Sequence, residues 1–507
     1  MKNYLLVVLF NFLLFASCSS DDDVAQEVIE ETEEPTTETP PLDRADYPVQ
    51  DFIYQAMNLY YLYKGDIPEL ADNSFTDLNT YVTYLSQNPD PENFFYDELL
   101  SNQDRFSFIT DNYVELENSF SGVSMSDGLD FVYAGYQLES SGPVYAAAVI
   151  RYVVPNSPAS EAGLTRSQVV TQINGERLTV TGDRLSSRAQ ELLSLDSYTL
   201  TLGNYNNTGV LVESDTEVSV NKIELTENPV GLAKTLDIDG QKIGYLLYNS
   251  FVRNFDDELN AAFADFKADG VTDLVLDLRY NGGGSVASAI DLASMITGQF
   301  EGDVITKQQW NDDLQEIFEE RNEDLEDRFN STIYTGTDQQ EAINSLNLNR
   351  LYVIGTGSTA SASELTIIGL RPYIDVITIG TTTVGKFQAS ATLYDGDNFF
   401  KENVNPDHTY AIQPLIYTYS NAKGVVGPPT GIEPDFELAE DLRNYGTLGD
   451  PGEPLLNLAL QQITGKRFQM KRNALSPMTF ELYGETGMDK PTYQRMYDNR
   501  KLPQIKK

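Results

Sequence analysis

The chain contains few of the residues on which much protein chemistry depends. Among its 507 residues there are one cysteine, one histidine and one tryptophan. Disulfide scaffolds and nearly all zinc sites are thereby excluded, because they require several cysteine or histidine residues. A Ser-His-Asp triad would have to use His408, which lies in the loop sequence Pro406-Asp407-His408 and is not expected to be catalytic. We therefore expect no metal and no cofactor, and chemistry that uses serine, lysine, carboxylate, tyrosine or backbone groups.

Positive charge is also scarce. The chain has 34 basic and 77 acidic residues, a formal net charge of −43. Phosphate backbones and anionic lipid surfaces are bound through lysine and arginine, so neither nucleic acid nor a basic lipid-binding patch is expected. A hydrophobic fraction of 41%, with 30 tyrosines and 24 phenylalanines, is nevertheless typical of a folded protein. At about 150 residues per domain, the length predicts roughly three domains.

Residues 1–17 are predicted to be a signal peptide. A charged start precedes an apolar run from Tyr4 to Ala16, which is too short to span a membrane permanently. Phe15-Ala16-Ser17-Cys18 then resembles a bacterial lipobox, whose cysteine is lipidated and becomes the N-terminus. The resemblance implies an extracytoplasmic protein that is anchored through Cys18 to the cell envelope, at the outer membrane, in the periplasm or at the cell surface. The alternative is a secretory signal with an incidental cysteine.

Residues 18–45 are predicted to be a solvated tether. Positions 21–40 hold nine acidic residues and no basic residue, a composition that cannot bury enough apolar surface to fold. Two serines followed by three aspartates, Ser19 to Asp23, resemble the surface-export signal of some Bacteroidetes lipoproteins. A linker without such a signal is the alternative.

The rest of the chain divides into three domains and an extension. Residues 46–118 carry apolar side chains at three- and four-residue steps, which predicts a small helical domain. Residues 119–226 contain short β-rich runs separated by turn sequences. In residues 227–450, strands alternate with helical stretches, which is typical of an α/β fold. Residues 451–507 form a C-terminal extension, whose basic part from residue 466 is expected to be a solvated surface.

The 119–226 region resembles a PDZ domain. The resemblance rests on a strand that ends at Val154, a capped short helix in the sequence Pro155 to Leu164, and a strand and Asn-Gly turn from Val169 to Gly175. It implies that Gly128, Leu129, Asp130 and Phe131 form a carboxylate-binding loop. The backbone N–H groups of such a loop hold a peptide C-terminus while the peptide adds a strand to the sheet. Another small β module is the alternative.

Three turns carry the candidate chemistry, each after a predicted strand of the α/β region, where such sheets place their sites. Asp277 to Gly284 ends in three glycines, which let the backbone present N–H groups to an oxyanion. Gly357 to Glu364 places a serine among small residues at a helix N-terminus, which favours developing negative charge. Thr381 to Gln388 contains Lys386, and desolvation there would lower the pKa of its amine so that it could deprotonate a serine. Taken singly, each turn is also consistent with a structural role.

Together the three turns resemble the S41 peptidases, which are C-terminal processing (tail-specific) proteases. The family's Ser-Ala-Ser-Glu matches Ser361 to Glu364, its Gly-Lys matches Gly385-Lys386, and its Asp-Leu-Arg-x-Asn-x-Gly-Gly matches Asp277 to Gly284. The resemblance implies an α/β fold within an α+β multidomain chain. This chain would have a ClpP/crotonase-like protease core, an inserted or preceding PDZ domain and a small N-terminal helical domain.

The resemblance also implies roles for individual residues. Ser361 would be the nucleophile and Lys386 the general base, with oxyanion donors from the amides of Gly283 and Ala362. The family often has a glutamine four residues after the lysine, and Ser390 occupies that position here. Gln388 is the candidate substitute that would support the dyad.

The leading hypothesis is a lipid-anchored serine endopeptidase that captures the C-terminus of an extracytoplasmic protein or peptide and cleaves near it. The alternative from another class is a non-catalytic lipoprotein that binds peptide tails on the same scaffold. Retention of both Ser361 and Lys386 argues against that alternative. An esterase would need a Gly-x-Ser-x-Gly elbow and a suitably placed histidine, and the second turn does not have that elbow sequence.

Overall fold

The computed structural model describes residues 43–138, 142–206, 210–334, 340–466, 480–488, 490, 492–500 and 502. The predicted signal peptide, Cys18 and nearly all of the tether lie outside these residues. From Asp43 onward the chain forms a single unit. None of the helices among the described residues is long and apolar enough to cross a membrane.

The first part of this unit is mainly helical. Its elements are α1 (Pro48–Tyr60), α2 (Leu78–Gln87), α3 (Pro91–Asn93), β1 (Phe108–Thr110) and α4 (Tyr113–Phe120). Helix α1 begins at Pro48, whose restricted φ suits the first helical position, and it buries the apolar face that its periodicity predicts. Its buried side chains belong to the same hydrophobic cluster as those of the α/β region. The N-terminal helices therefore pack directly on the region that contains the candidate turns.

The next part is a β-rich module with its own hydrophobic cluster. Its elements are β2 (Val123–Ser126), β3 (Leu129–Gln137), β4 (Val144–Val153), α5 (Pro158–Glu161), β5 (Val169–Ile173), β6 (Glu176–Thr181), β7 (Arg184–Leu185), α6 (Ser187–Ser194), β8 (Ser197–Tyr205), β9 (Leu211–Asn221) and β10 (Ile223–Thr226). Most of its strands form one sheet in the order β3-β4-β6-β5-β8-β9. Strands β3 and β4 pair antiparallel along nearly their whole length.

The α/β region follows. Its elements are β11 (Val230–Ile238), β12 (Gln241–Tyr248), α7 (Asp256–Asp269), β13 (Asp273–Asp277), β14 (Gly284–Ser285), α8 (Val286–Thr297), β15 (Val304–Trp310), α9 (Asp312–Arg321), β16 (Glu326–Arg328), β17 (Thr332–Tyr334), β18 (Gln340–Ala342), β19 (Arg350–Gly355), α10 (Ala362–Leu370), β20 (Asp375–Gly380), β21 (Gln388–Ser390), β22 (Leu393–Tyr394), β23 (Ala411–Gln413), β24 (Leu415–Asn421) and β25 (Phe436–Glu437). Helices α8 and α10 consist mainly of apolar residues and are buried throughout, as expected for helices enclosed by other elements.

One sheet of this region positions the three candidate turns. Its strand order is β11-β12-β13-β19-β20-β25, and all neighbours from β12 to β25 are parallel. The register pairs Asp277 with Ile354, and Gly355 with Gly380. Strands β13, β19 and β20 therefore end side by side, and the turns that follow them meet at one edge of the sheet.

The C-terminal extension packs on the preceding parts of the chain. Helix α11 (Pro454–Thr464) buries its leucines against the parallel sheet. Strand β26 (Leu482–Glu485) pairs with β3, and strand β27 (Met496–Tyr497) pairs with β14 and β21. The expectation for the basic part of the extension is therefore wrong for Tyr483, Met496 and Tyr497, which are buried because unpaired backbone groups at two sheet edges bind their strands, whereas Lys490 and Asn499 are exposed.

Candidate active site

Ser361 lies at the turn between β19 and α10. Its backbone has φ 63° and ψ −117°, a conformation that non-glycine residues rarely adopt and that is found where a functional residue is held under strain. The residue is fully buried, and its hydroxyl donates a hydrogen bond to the carbonyl of Gln494 at 3.1 Å. Strained turns of this kind, between a strand and a helix, also present the nucleophile of α/β-hydrolases.

The two neighbouring serines have structural partners. Ser358 donates to the carboxylate of Glu485 at 2.6 Å, and Ser363 donates to the carbonyl of Asn281 at 3.1 Å. Ser361 therefore differs from both in its strained backbone and in the peptide carbonyl that it faces.

Lys386 is completely buried in the turn after β20. Its Nζ has no hydrogen-bond partner among the described residues, Ser361 included, and lies 5.2 Å from the centre of the Phe106 ring. Burial holds the pKa of this amine well below its usual range, and the positive charge of Arg495 lowers the pKa further. The carboxylates of Asp104 and Glu364 act in the opposite direction. A neutral amine, which can accept a proton, is the expected form.

The side chain of Glu364 connects the two turns. One carboxylate oxygen accepts the amides of Ser361 and Lys386, each at 2.9 Å, and the other accepts the Gly385 amide at 2.7 Å and the Thr383 hydroxyl at 2.5 Å. Burial raises the pKa of this carboxyl, whereas the hydrogen bonds lower it. In the sequence, Glu364 is only the last residue of the Ser-Ala-Ser-Glu motif, and nothing there indicates that it links the two turns.

The glycine turn lies directly against Ser361. Gly283 has φ 111°, and a Cβ on this residue would be 2.6 Å from the Cβ of Ser361. The side chain of Asn281 accepts the Gly283 amide at 2.9 Å, and the carbonyl of Asn281 accepts the Ala360 amide at 3.1 Å. Asn281 therefore joins the first turn to the second, a role that the sequence did not reveal. In this conformation the Gly283 amide, a predicted oxyanion donor, is already engaged.

Ala362, the other predicted oxyanion donor, is the first residue of α10. Its N–H has no acceptor within the helix, and the N-terminal end of the helix dipole favours negative charge at this point. The position of the Ala362 N–H group and the dipole of helix α10 both favour an oxyanion that forms beside Ser361.

The two candidate supports of the dyad are placed differently. Gln388 is half-buried at the start of β21, and its side chain makes no hydrogen bond to Lys386 Nζ. Ser390 is buried at the end of the same strand; its hydroxyl donates to the carbonyl of Met496 at 2.8 Å and accepts from Gln413 at 3.2 Å.

The arginine of the first turn, Arg279, is held by ion pairs and has a structural role. Arg279 is fully buried and binds the carboxylate of Asp277 through Nε and Nη2, that of Glu453 through Nη1 and Nη2, and that of Glu440 through Nη1. These contacts join the end of β13 to the residues before α11.

The predicted carboxylate-binding loop lies at the start of β3. The Gly128 amide donates to the Ser126 hydroxyl, the Leu129 amide to the Asp127 carboxylate, and the Phe131 amide to the Thr486 hydroxyl at 2.8 Å. The Asp130 carboxylate accepts from Arg151 at 2.8 Å. The loop is therefore built from local contacts, and the edge beside Phe131 is occupied by another part of the chain.

A polar cleft of about 300 Å³ lies between the β-rich module and the α/β region. Its lining includes Arg151 and Asp130 on the module, the three glycines of the first turn, and Gln494 and Arg495. His408 takes no part in the site, since its ring nitrogens bind the Asp395 carboxylate and the Tyr410 amide.

Comparison with known proteins supports one family. Residues 242–438 match the profile described as Peptidase family S41, and residues 48–108 match that of the Peptidase S41 N-terminal domain. Together the two matches cover about half of the chain.

Two individual relatives are described as proteases. The Probable CtpA-like serine protease of Staphylococcus aureus (strain N315) is 25% identical over 281 residues, which are 55% of this chain and 49% of that protein. The chloroplastic C-terminal processing peptidase of Tetradesmus obliquus is 25% identical over 332 residues, 64% of this chain and 62% of that protein. The chain thus spans about half the length of the first relative and less than two thirds of the second.

A solved structure is similar over most of the chain. It comes from Bacteroides fragilis NCTC 9343 and is assigned to the S41 proteases. The sequence identity is 28%, the TM-score is 0.61, and the alignment covers 82% of this chain and 97% of that chain.

Proposed function

The chain belongs to peptidase family S41, and from this premise we propose that it is a serine endopeptidase with a Ser361–Lys386 dyad. The observation that carries the proposal is a strained, buried serine linked through Glu364 to a buried lysine whose amine has no hydrogen-bond partner among the described residues. Burial favours the neutral amine, which is the form that accepts a proton from a serine hydroxyl.

The proposed reaction has two stages. Lys386 Nζ takes the proton of the Ser361 hydroxyl while Oγ attacks the scissile carbonyl carbon. The protonated amine then gives this proton to the leaving amine, and an acyl-enzyme remains on Ser361. Lys386 next takes a proton from water, whose hydroxide attacks the ester, and the proton returns to Ser361 when the carboxylic product leaves.

The oxyanion of each stage would be held by the amides of Gly283 and Ala362. Each such donor is worth about 3–4 kcal/mol in comparable sites. The Gly283 amide would first have to leave the Asn281 side chain, to which it donates in this structure. Substrate binding would thus reorganise the glycine turn. Gln388, which makes no hydrogen bond to the Lys386 amine here, would support the dyad only after a similar rearrangement.

We further propose that the β-rich module is a PDZ domain that captures the C-termini of protein or peptide substrates. Support comes from its resemblance in sequence and from β3, whose edge accepts an added antiparallel strand. Gly128, Leu129, Asp130 and Phe131 lie at the start of this strand and would face the incoming carboxylate. An amidated substrate C-terminus should therefore reduce kcat/KM more than kcat.

We also propose that the protein is anchored in the cell envelope by a lipid on Cys18 and acts outside the cytoplasm. The lipobox-like sequence and the acidic stretch after it support this location. Metabolic labelling with an alkyne fatty acid should modify wild-type protein, and Cys18→Ser should abolish the label.

The test of the proposed activity is reaction with a fluorophosphonate probe together with hydrolysis of an unfolded protein. Ser361→Ala and Lys386→Ala should each lower both rates by at least about 10³-fold, because a nucleophile and its base act as a unit. Ser363→Ala is the matched control, since this serine is two residues away and has a structural partner. Full activity of the Lys386→Ala variant would refute the dyad and favour a binding protein on the same scaffold.

A further inference from the structure

One segment of the chain contacts both surfaces that a substrate is proposed to use, the edge of β3 and the surroundings of Ser361. We refer to residues 480–502, of which 489, 491 and 501 lie outside the described residues, as the C-terminal segment. It first lies on the exposed edge of β3 as strand β26, where Leu482 pairs with Ala134 and Glu485 with Val132. The amide of Thr486 donates to the carbonyl of Phe131 at 2.9 Å, and its hydroxyl accepts the Phe131 amide. The amide of Gly135 also donates to the carbonyl of Glu481 at 2.8 Å, and such main-chain hydrogen bonds are those of a peptide that adds a strand to a sheet.

Charged and polar side chains hold the segment between this edge and the cleft. The Glu485 carboxylate forms a close ion pair with Arg151, accepts from Ser358 at 2.6 Å, and accepts from Tyr493 at 2.7 Å. Arg151 and Glu485 are both largely buried, with 7% and 15% of their side chains exposed. Arg151 also pairs with Asp130 at 2.8 Å, so removal of Glu485 takes away the anchor of the segment without leaving the Arg151 charge unpaired.

The segment then lines the polar cleft beside the glycine turn and lies against Ser361, and this part of the cleft is called the catalytic cleft below. The carbonyl of Gln494 accepts the Ser361 hydroxyl, and the carbonyl of Arg495 accepts the Gly284 amide at 2.8 Å. Strand β27 follows and pairs in parallel with β14 and β21. With the segment in this position, Ser361 and Lys386 are both completely buried, so a substrate cannot reach them.

The contact at Ser361 is not arranged for cleavage. Oγ donates to the carbonyl oxygen of Gln494, whereas attack requires Oγ to approach the carbonyl carbon. The Gly283 amide is held by Asn281, and Gln494 is not extended, since its φ is 50°. A bound peptide bond in this geometry lacks one oxyanion donor and does not present its carbon to the nucleophile.

We propose that the C-terminal segment is an intramolecular inhibitor that occupies the β3 edge and the catalytic cleft, and that an extended protein or peptide substrate must displace it. This inference rests on the proposed peptidase activity. Because the inhibitor is tethered, its effective concentration is high, and a substrate that binds both surfaces competes better than one that reaches the cleft alone.

The test uses full-length variants and two measurements, the rate at which a fluorophosphonate probe labels Ser361 and the hydrogen exchange of amides in residues 492–497. Glu485→Ala removes the anchor on Arg151 and should speed both by about tenfold or more, the effect of losing one charge-assisted contact. Asn499→Ala, an exposed position on the same segment, should change neither.

A reversible disulfide between β3 and β26, referred to as the lock, provides the opposite test because it holds the segment in place. Ala134→Cys with Leu482→Cys, in a Cys18→Ser background, places two thiols on paired positions of β3 and β26. The oxidised form should label about tenfold more slowly than the same protein after reduction.

Three results would overturn the inhibitor. The first is that the probe labels Ser361 equally fast in the oxidised and the reduced lock. The second is that Glu485→Ala speeds hydrogen exchange of residues 492–497 but not the labelling of Ser361. A third is a wild-type chain found cut after Gln494, which would make the segment a substrate. If Ser361 is unlabelled in every form although exchange shows a released segment, the proposed activity itself fails. If the wild type already labels as fast as the released variants, the activity stands and only the inhibitor fails.

Discussion

The carboxylate of Glu364 accepts the backbone amide of Lys386 at 2.9 Å, although 22 residues of sequence separate them. The same oxygen accepts the amide of Ser361. A side chain that contributes no proton and no nucleophile thus sets the distance between the turn of the serine and the turn of the lysine.

We expect Glu364→Gln to lower kcat by about 10²-fold, because displacement of a reacting group by about 1 Å costs that much. The carboxylate accepts four hydrogen bonds, whereas a glutamine offers one oxygen and turns an NH₂ group toward at least one N–H donor. Thr383→Val removes only one of these four bonds, together with the acceptor of the Ile432 amide, and should lower kcat less. Steady-state kinetics give the kcat of both variants. A wild-type kcat in Glu364→Gln would show that the contacts of the Glu364 carboxylate with the two turns are dispensable.

Lys386→Met should inactivate the protein and stabilise it. A buried amine without a hydrogen-bond partner in the described structure costs about 1–3 kcal/mol, which methionine of similar length avoids. Urea unfolding at pH 7 measures the difference in the free energy of unfolding.

The extra free energy of unfolding of Lys386→Met should change with pH in one direction. Folding depresses the pKa of Lys386, so below its usual value near 10.5 the unfolded chain binds a proton that the folded chain does not. The wild type therefore becomes more stable as pH rises toward 10.5, and the advantage of Lys386→Met shrinks over the same range. An advantage that is constant with pH would indicate that Lys386 is charged in the folded protein.

The activity should fall in acid as the Lys386 amine becomes protonated. Because the charge of Arg495 helps to lower the pKa of this amine, Arg495→Gln should move the acidic limb of the kcat/KM profile to higher pH. Lys490→Gln removes a charge from an exposed position of the same segment and should leave the limb in place. A limb that is unaltered by Arg495→Gln would exclude coupling between Arg495 and the base.

Arg279→Met should destabilise the fold by about 3–5 kcal/mol, because it leaves the buried carboxylates of Asp277 and Glu453 without their shared cation. The exposed pair of Arg188 and Glu176 is the comparison, and Arg188→Ala should cost no more than about 1 kcal/mol. Urea titrations of both variants provide the values. Similar losses would mean that burial adds little to the Arg279 network.

Several elements of the α/β region were predictable from local sequence. Helix α7 (Asp256–Asp269) ends where its apolar side chains stop recurring at helical spacing, at Gly270, which takes the left-handed cap conformation. The buried strand at Asp273 was equally clear, since a short apolar run bounded by turn residues is typical of a parallel sheet. Local signals of this kind depend only on neighbours in the chain.

The C-terminal segment was not predictable in the same way. Its basic composition indicates a solvated surface, yet Met496 and Tyr497 are buried and Glu485 binds Arg151 of the β-rich module. What binds the segment is the unpaired edge of β3 and the amide of Gly284, and composition carries no information about free backbone groups elsewhere in the fold.

The sequence by itself determined the chemistry that is available to this protein. One cysteine, one histidine and motifs around Ser361 and Lys386 direct the reaction toward a serine and a lysine, and those roles stay predictions until the variants are measured. Only the tertiary structure decided that Glu364 joins the two turns, that Asn281 holds the Gly283 amide, and that Gln494 lies against Ser361. Each of these is a contact between distant parts of the chain, which depends on where parallel strands end and on which sheet edges stay open.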